Sequence, residues 1–189
     1  MGYLNLSHNT FEGSLRNDIL FDLAGIHTLD LSHNTNLTGE LPSLLARDVL
    51  YEMRILDLSD CSFTGGFPSN YSLLNQLEYV DVSVNDLSYK LVLPTELEHI
   101  TYFNISHNHI SSFGDASMPW LYTLQVLDLS FNDVTDLPLQ IRSCCFYDMG
   151  TRILLDNNPL HCSQVRLRAH SCPGVIMLTI ASPRFGQSA

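Results

Sequence analysis

Residues 127–132 read Leu-Asp-Leu-Ser-Phe-Asn, and this six-residue phrase returns along the chain. Counting a degenerate last copy at 153–158, it occurs seven times. The copies end at Asn9, Asn34, Cys61, Asn85, Asn108, Asn132 and Asn158. The steps between these ends are 25, 27, 24, 23, 24 and 26 residues. A repeat of that length indicates a solenoid, in which each copy forms one coil and stacks on the next.

Each copy alternates apolar and polar residues, which is typical of a β-strand with one buried face. In the copy at 127–132, Leu127 and Leu129 are predicted to point into the core, whereas Asp128 between them faces water. A further apolar residue lies three positions before each of the first six copies. We therefore expect about seven strands side by side in one parallel sheet, roughly 30 Å long at ordinary strand spacing.

The last residue of each copy lies where the chain must leave the strand and turn. An Asn side chain both donates and accepts hydrogen bonds, so a buried Asn can satisfy backbone groups that the turn leaves without partners. Stacking should bring these residues into a structural ladder, each bonding to its neighbour. The predicted ladder consists of Asn9, Asn34, Asn85, Asn108, Asn132 and Asn158. Cys61 interrupts it, because a thiol is a weak donor and a weak acceptor, so that turn must be held in another way.

The pattern apolar-x-x-apolar-x-apolar-x-x-Asn, at a step near 24, resembles the leucine-rich repeat family over residues 1 to about 160. The resemblance implies an α/β solenoid, a right-handed superhelix shaped as a horseshoe arc. Its concave side would carry the parallel sheet of about seven strands, and its convex side short helices or turns. Residues 37–42, Leu-Thr-Gly-Glu-Leu-Pro, and the segments after Asn9 and Cys61 resemble the plant-type subclass, where such a segment forms a second short strand. Later copies lack the glycine.

Two regions are predicted, repeats over 1–158 and a capping segment over 159–189. Because the chain opens inside a repeat strand, we expect a fragment of a longer protein whose N-terminal cap and signal peptide are missing. Residues 159–162, Pro-Leu-His-Cys, resemble the opening of cysteine-bearing C-terminal caps in extracellular family members. The chain departs from the Cys-x-Cys form of these caps, with Ser163 and Gln164 where the second Cys would fall. Four of the five cysteines cluster near the end of the chain, which favours an oxidising compartment and a disulfide between Cys162 and Cys172, with Cys144 or Cys145 as an alternative partner. Reduced thiols in a cytoplasmic protein are the alternative.

The formal charge of −11 is unevenly distributed. Residues 1–141 carry 18 of the 20 acidic residues and 4 of the 9 basic ones, so the repeats are acidic. An acidic body repels phosphate backbones and anionic lipid, which argues against nucleic acid or a membrane surface as the partner. No apolar stretch reaches the roughly 18 residues of a membrane span. Candidate N-glycosylation sites are Asn36 and Asn70, each in an Asn-x-Ser/Thr sequence.

The outward residues of the strands are the candidate ligand-binding residues of the concave face. Tyr79 and Tyr102 fall at the same position of neighbouring copies, and large amphipathic rings beside acids are typical of interface anchors. The candidate residues are Tyr79, Tyr102, Asp57, Asp81, Asp128 and Phe131. Asp is also common at this position of the repeat, so the aspartates could be solvated charges without a binding role. The serines two residues after them are expected to bond locally to turn backbone.

No group of residues suggests a catalytic base, a nucleophile and an oxyanion donor held together, so we expect no enzyme activity. His33 and Asp60 fall at equivalent positions of adjacent copies, but a His before the Asn is ordinary in this repeat, and we expect no metal and no cofactor. The resemblance implies a recognition module of a cell-surface receptor-like protein, with a protein or peptide ligand, or a carbohydrate. Alternatives are a secreted enzyme inhibitor and the substrate-recognition module of an intracellular kinase or ubiquitin ligase.

Overall fold

The computed structural model describes residues 2–15, 23, 25–41, 50–68, 75–92, 97–114, 122–138, 141 and 151–160. The strands within these ranges are β1 (Tyr3–Asn5), β2 (Glu12–Ser14), β3 (Thr28–Asp30), β4 (Asn36–Glu40), β5 (Ile55–Asp57), β6 (Ser62–Gly65), β7 (Tyr79–Asp81), β8 (Asp86–Leu91), β9 (Tyr102–Asn104), β10 (His109–Phe113), β11 (Val126–Asp128) and β12 (Arg152–Leu154). Each copy of the repeat contributes one coil. Coils 1 to 7 are numbered by their first strands, which are β1, β3, β5, β7, β9, β11 and β12.

The first strand of every coil joins one seven-stranded sheet in the order β1-β3-β5-β7-β9-β11-β12. All pairs are parallel and keep the same register, so that Tyr79 lies opposite Tyr102 and Asp57 opposite Asp81. The repeat length and the alternation both predicted this sheet, and the prediction is confirmed. Because the register never slips, residues at equivalent positions of the repeat form continuous columns across the sheet.

A second sheet follows the turns, in the order β2-β4-β6-β8-β10, again with parallel pairs. Its first three strands coincide with the glycine-containing segments that resemble the plant-type repeat. Gly39 in β4 has φ of 88°, and a Cβ added there would lie 3.0 Å from Cβ of Ser14 on the neighbouring strand. Only glycine meets both conditions without strain. Strands β8 and β10 extend this sheet without the glycine, and Tyr89 in β8 adopts φ of 75°.

The two apolar residues of each strand copy form the core between the sheets. From coil 2 onward they are nearly inaccessible, as in Leu56, Val80 and Phe103, each 0% exposed. In coil 1, Leu4 and Leu6 are only partly buried and line an apolar cavity of about 270 Å³ at that end of the solenoid. Burial of one such side chain contributes about 1.5–3 kcal/mol, so the interior coils contribute more stability than coil 1.

The residue before each ladder position turns the chain in the left-handed region. These residues are His8, His33, Asp60, Val84, His107, Phe131 and Asn157, with φ between 51° and 57°. The backbone N–H of each of the first six donates to a carbonyl of the next coil, as from Val84 to Ser106 at 3.0 Å. The turn is therefore built identically in coils whose side chains at this position differ in kind.

The ladder asparagines do not bond to one another as predicted, because main-chain groups lie within reach of each amide. The five from Asn34 onward bond instead to main-chain atoms of two coils. Asn108 Nδ2 donates to the carbonyls of Ile105 and Ser106 in its own coil and to that of Val82 in the preceding coil, at 3.2, 3.0 and 3.0 Å. Its Oδ1 accepts the N–H of Leu87 at 2.9 Å. Asn34, Asn85, Asn132 and Asn158 repeat this arrangement. Asn9 is exposed and bonds only to carbonyls of its own coil, Leu6 and Ser7.

At the interruption, Cys61 is 8% exposed and its Sγ lies 3.5 Å from the carbonyl oxygens of Leu31 and Ser59. These are contacts of the same kind as the asparagines make, but a thiol donates weakly. The preceding coil closes its turn locally, because the N–H of Leu37 donates to the carbonyl of Asn34 at 2.8 Å. The turn is thus held by backbone where the side chain is a poor partner.

Several predictions fall on residues outside the described ranges. They are most of the short helices or turns of the convex side, whose helical spacing is seen at Ile19 and Leu20 and at Leu45 and Val49, the cysteines Cys144, Cys145, Cys162 and Cys172, the sequon at Asn70, and most of the capping segment at 159–189. Within the part of the chain that the structure describes, there is no helix both long and apolar enough to traverse a bilayer.

Candidate functional site

The outer face of the seven-stranded sheet carries three columns of side chains, one residue from each coil. The first column consists of Tyr3, Thr28, Ile55, Tyr79, Tyr102, Val126 and Arg152. The middle column consists of Asn5, Asp30, Asp57, Asp81, Asn104, Asp128 and Leu154. The turn column consists of the seven left-handed residues named above. Candidate ligand-binding residues predicted from the sequence occur in all three columns.

Tyr79 and Tyr102 stack face to face in the first column, with ring centroids 4.5 Å apart and an angle of 3° between the planes. Both are half-buried. Burial, followed by the negative charge of Asp81 and Asp57, raises the pKa of Tyr79, and burial also raises that of Tyr102. The two phenols therefore stay neutral at physiological pH, and the rings present a large flat apolar surface with polar hydroxyls at its edge. This combination is favoured in binding interfaces.

The aspartates of the middle column accept hydrogen bonds from the turns and so stabilise them. Asp57 Oδ1 accepts the N–H of Ser59 at 3.0 Å and its hydroxyl at 2.7 Å. Asp30, Asp81 and Asp128 make the same two bonds to the serines that follow them by two residues. The expectation that these serine hydroxyls bond to turn backbone is wrong, because a carboxylate in the same coil is the nearer and stronger acceptor.

Asp81 and Asn104 do not face water as the alternation predicted. They are 7% and 9% exposed, and they lie in the same two coils as the stacked tyrosines. Asp81 Oδ2 accepts Asn104 Nδ2 at 3.0 Å and the Tyr79 hydroxyl at 3.3 Å, in addition to the two bonds from Ser83. Asp81 therefore holds the Tyr79 hydroxyl in place and has little capacity left for a ligand.

Asp57 and Asp128 differ from Asp81, because their Oδ2 atoms accept no hydrogen bond from any described residue. They lie in coils 3 and 6, on either side of the tyrosine stack, about 14 Å apart at three strand spacings. Burial raises the pKa of Asp57, bonds from Ser59 oppose that rise, and the charges of Asp81 and Asp30 add to it. A partner's donor or cation would relieve the desolvated charge of Asp57.

The turn column changes character between its two halves. In coils 1 to 3, the His8 and His33 rings stack with centroids 4.1 Å apart, and His33 Nδ1 lies 2.6 Å from Asp60 Oδ2. In coils 4 to 6 the column is Val84, His107 and Phe131, and the rings of His107 and Phe131 stack at 4.1 Å. Val84 is 44% exposed and Phe131 42%. Sequence reasoning singled out Phe131 but not Val84, although a β-branched residue among His, Asp and Asn was the available signal.

His33 and Asp60 lie next to each other, as their positions in the repeat suggested, with His33 Nδ1 2.6 Å from Asp60 Oδ2. They are two side chains, fewer than the three that a metal site would need. Across the described ranges, no group of three or more His, Cys, Asp or Glu side chains is arranged to hold a metal ion. The sequon residue Asn36 is exposed on β4, where its side chain is accessible.

The chain was compared with known protein families and relatives. The profile of a family described as Leucine Rich Repeat matches residues 52–74, and a second one described as Leucine Rich repeat matches residues 96–114 and 123–137. Receptor-like protein 39 of Arabidopsis thaliana is 33% identical over 130 residues, covering 67% of this chain and 14% of that protein. Receptor-like protein 41 of the same plant is 30% identical over the same length and share of each chain. The chain thus spans about one seventh of the length of these relatives.

Among solved structures, the chain is similar to the leucine-rich repeat ectodomain of the Arabidopsis receptor kinase HAESA in complex with an N-terminally extended IDA peptide hormone ligand. The TM-score is 0.69 at 26% identity, over 85% of this chain and 26% of that one. The functional domain of InlJ from Listeria monocytogenes aligns with a TM-score of 0.64 at 19% identity, over 85% of this chain and 31% of that one, a likeness of fold alone.

Proposed function

The chain is a leucine-rich repeat protein of the plant receptor-like type, and we propose that it serves as the ligand-recognition part of such a receptor, binding a protein or peptide on the concave sheet. The observation that carries the proposal is the Tyr79–Tyr102 stack, two large half-buried rings on the outward face at the middle of the sheet. The HAESA ectodomain, which this fold resembles, binds a peptide hormone. Recognition rather than catalysis is the activity we propose.

The stack is suited to binding because its geometry is already fixed in the free protein. Each ring is held against the other, and the Tyr79 hydroxyl is oriented by Asp81 at 3.3 Å. A partner that covers the rings therefore loses little side-chain freedom in forming the complex. The Oδ2 atoms of Asp57 and Asp128, without hydrogen bonds from described residues, provide acceptors on either side of the rings.

A library of displayed random linear peptides, selected against the purified chain, tests the proposal. We expect enrichment of peptides whose binding falls at least about tenfold when both Tyr79 and Tyr102 are replaced by Ala, since loss of aromatic anchors at an interface costs more than about 1.4 kcal/mol. Tyr51→Ala is the matched control, because Tyr51 is 56% exposed and lies outside the three columns. Enriched peptides that bind the double variant as tightly as the wild type would move the site away from this face.

We propose an extracellular or cell-surface location. Support comes from the plant receptor-like relatives and from the accessible sequon at Asn36. The chain, expressed through the secretory pathway of a plant cell, should lose mass on enzymatic removal of N-glycans, and Asn36→Gln should reduce that loss. Five free thiols on the secreted chain would argue instead for the cytoplasmic alternative, since the cap cysteines are expected to be oxidised outside the cell.

A further inference from the structure

We propose that the turn strip, defined as Val84, His107 and Phe131 in coils 4 to 6, is a second contact surface that accepts an apolar side chain of the ligand. The inference rests on the proposed function, because the strip borders the same face as the tyrosine stack. It adds a class of ligand, a peptide that places an aliphatic or aromatic residue beside the turns.

Backbone strain distinguishes Val84 and Phe131 from the other turn residues. All seven turn residues have φ between 51° and 57°, a region that His, Asp and Asn occupy far more readily than other side chains. Five coils use such residues at this position, namely His8, His33, Asp60, His107 and Asn157. Val84 and Phe131 are the exceptions. A β-branched or bulky residue is strongly disfavoured in this conformation, so both residues reduce the stability of the fold.

The same two residues are exposed to solvent. Val84 and Phe131 are 44% and 42% exposed, so neither offsets its strain by full burial in the core. A strained backbone and an exposed apolar side chain therefore occur in the same two residues. The other five coils avoid the strain by placing His, Asp or Asn at this position. Backbone strain in a residue that is not buried in the core is a recognised mark of a functional position.

The turn strip lies in the same part of the sheet as the tyrosine stack. Coils 4 and 5 supply the tyrosine stack, and coils 4 to 6 supply the turn strip, so an apolar surface lies on both sides of the middle column in the same part of the sheet. The stack of His107 on Phe131, with centroids 4.1 Å apart, makes two of the three members one continuous surface. In coils 1 to 3 the turn column is instead His8, His33 and Asp60, with a hydrogen bond between the last two.

The ligand chemistry follows from the two sides of this surface. Side chains of an extended peptide alternate, so successive residues would reach opposite sides. The middle column between them carries the Oδ2 atoms of Asp57 and Asp128, which accept no bond from a described residue and suit backbone N–H groups or a basic side chain. The inferred partner is therefore an extended peptide with apolar residues toward the strip and donors toward the carboxylates, and an acidic peptide is disfavoured.

The test combines Val84→Asn and Phe131→Asn in the full chain and uses the displayed random linear peptides as the probe. Peptides selected on the wild type should be enriched in apolar residues and should bind the double variant about tenfold more weakly. The variant should also unfold about 2 °C or more higher, because Asn tolerates the left-handed turn. His8→Gly, the same turn position in coil 1, is the control and should leave peptide binding unchanged.

The outcomes separate the two proposals. If the selected peptides bind the double variant as tightly as the wild type, the turn strip is not a contact surface, whereas the proposed recognition function stands. If the double variant unfolds at a lower temperature, the residues have a structural role and the inference is overturned. If the wild type enriches no peptide at all, the proposed function fails and this inference fails with it.

Discussion

The ladder asparagine Asn108 shows how much of the fold depends on single residues. Its side chain satisfies three backbone carbonyls and one N–H in two coils. Asn108→Ala leaves these buried groups without their partner, and we expect the free energy of unfolding to fall by about 3–5 kcal/mol, measured by urea denaturation. Asn9→Ala is the matched control. Because Asn9 is exposed and bonds within one coil, its loss should cost less than about 1 kcal/mol.

The raised pKa of Asp57 predicts how the stability of the fold depends on pH. Its folded-state pKa is raised, mainly by burial, so the folded chain holds this proton more tightly than the unfolded chain. Stability therefore decreases as pH rises above the ordinary pKa of 3.8, and at pH 7 the charged form is a penalty on the fold. Asp57→Asn, which keeps an acceptor for Ser59, should raise the urea midpoint at pH 7, and the gain should disappear below pH 3.8, where both states of the wild type are protonated.

This experiment requires protein produced without glycosylation, because the substitution creates an Asn-x-Ser sequence. Asp57→Ala is the control, since it removes the charge and also the acceptor for the two Ser59 bonds. If Asp57→Asn is less stable than the wild type at pH 7, the charged carboxylate stabilises the fold, which is the opposite of the expected result.

On the scale of single strands, the second sheet provides a test of backbone geometry. Gly39→Ala places a Cβ at φ of 88° and 3.0 Å from Cβ of Ser14, so we expect a loss of about 1–2 kcal/mol by urea denaturation. Gly66→Ala is the control. Among the described residues, only the Ser88 carbonyl oxygen, at 4.0 Å, would lie near its new Cβ, and the loss should be under about 0.5 kcal/mol. Equal losses at the two positions would contradict the role assigned to Gly39.

The strands also show what could be predicted from the sequence and what could not. All seven strands of the first sheet followed from alternation and repeat length, because each depends on residues close together in the chain. Strands β8 and β10 lack the glycine segment of the earlier coils. They form because the N–H groups of Leu87 and Ile110 are fixed by Asn108 and Asn132 in the next coil, and tertiary contacts outweigh local preference.

The candidate site was also predictable in part, where its features follow from the repeat itself. The adjacency of Tyr79 and Tyr102 followed from the register of the repeat. The burial of Asp81 did not, because it depends on neighbouring side chains of two coils, among them Tyr79 and Asn104, which both bond to Asp81. The strain at Val84 likewise required the φ angle of its turn. Properties shared by every coil can be predicted from the pattern, whereas those created between particular side chains need the structure.

For the whole molecule, stability should increase from the first coil inward. Leu6 and Leu58 hold the same position of the repeat, but Leu6 is only partly buried, whereas Leu58 is 0% exposed. Leu58→Ala should cost about 2–5 kcal/mol and Leu6→Ala about 1 kcal/mol or less, measured by urea denaturation. Backbone hydrogen exchange should be faster in β1 and β2 than in β7 and β9, because each coil is stabilised by its neighbours. Uniform exchange across the coils would contradict this gradient.

The ladder holds the coils together through main-chain atoms, which every residue type supplies. A change at an outward position such as Ile55, Tyr102 or Val126 therefore leaves the bonds between coils intact. Natural variation can change the outward side chains of the proposed binding surface one coil at a time, while the hydrogen bonds between the coils stay the same. New specificities could then arise by exchanging exposed side chains alone, without any innovation in how the chain folds.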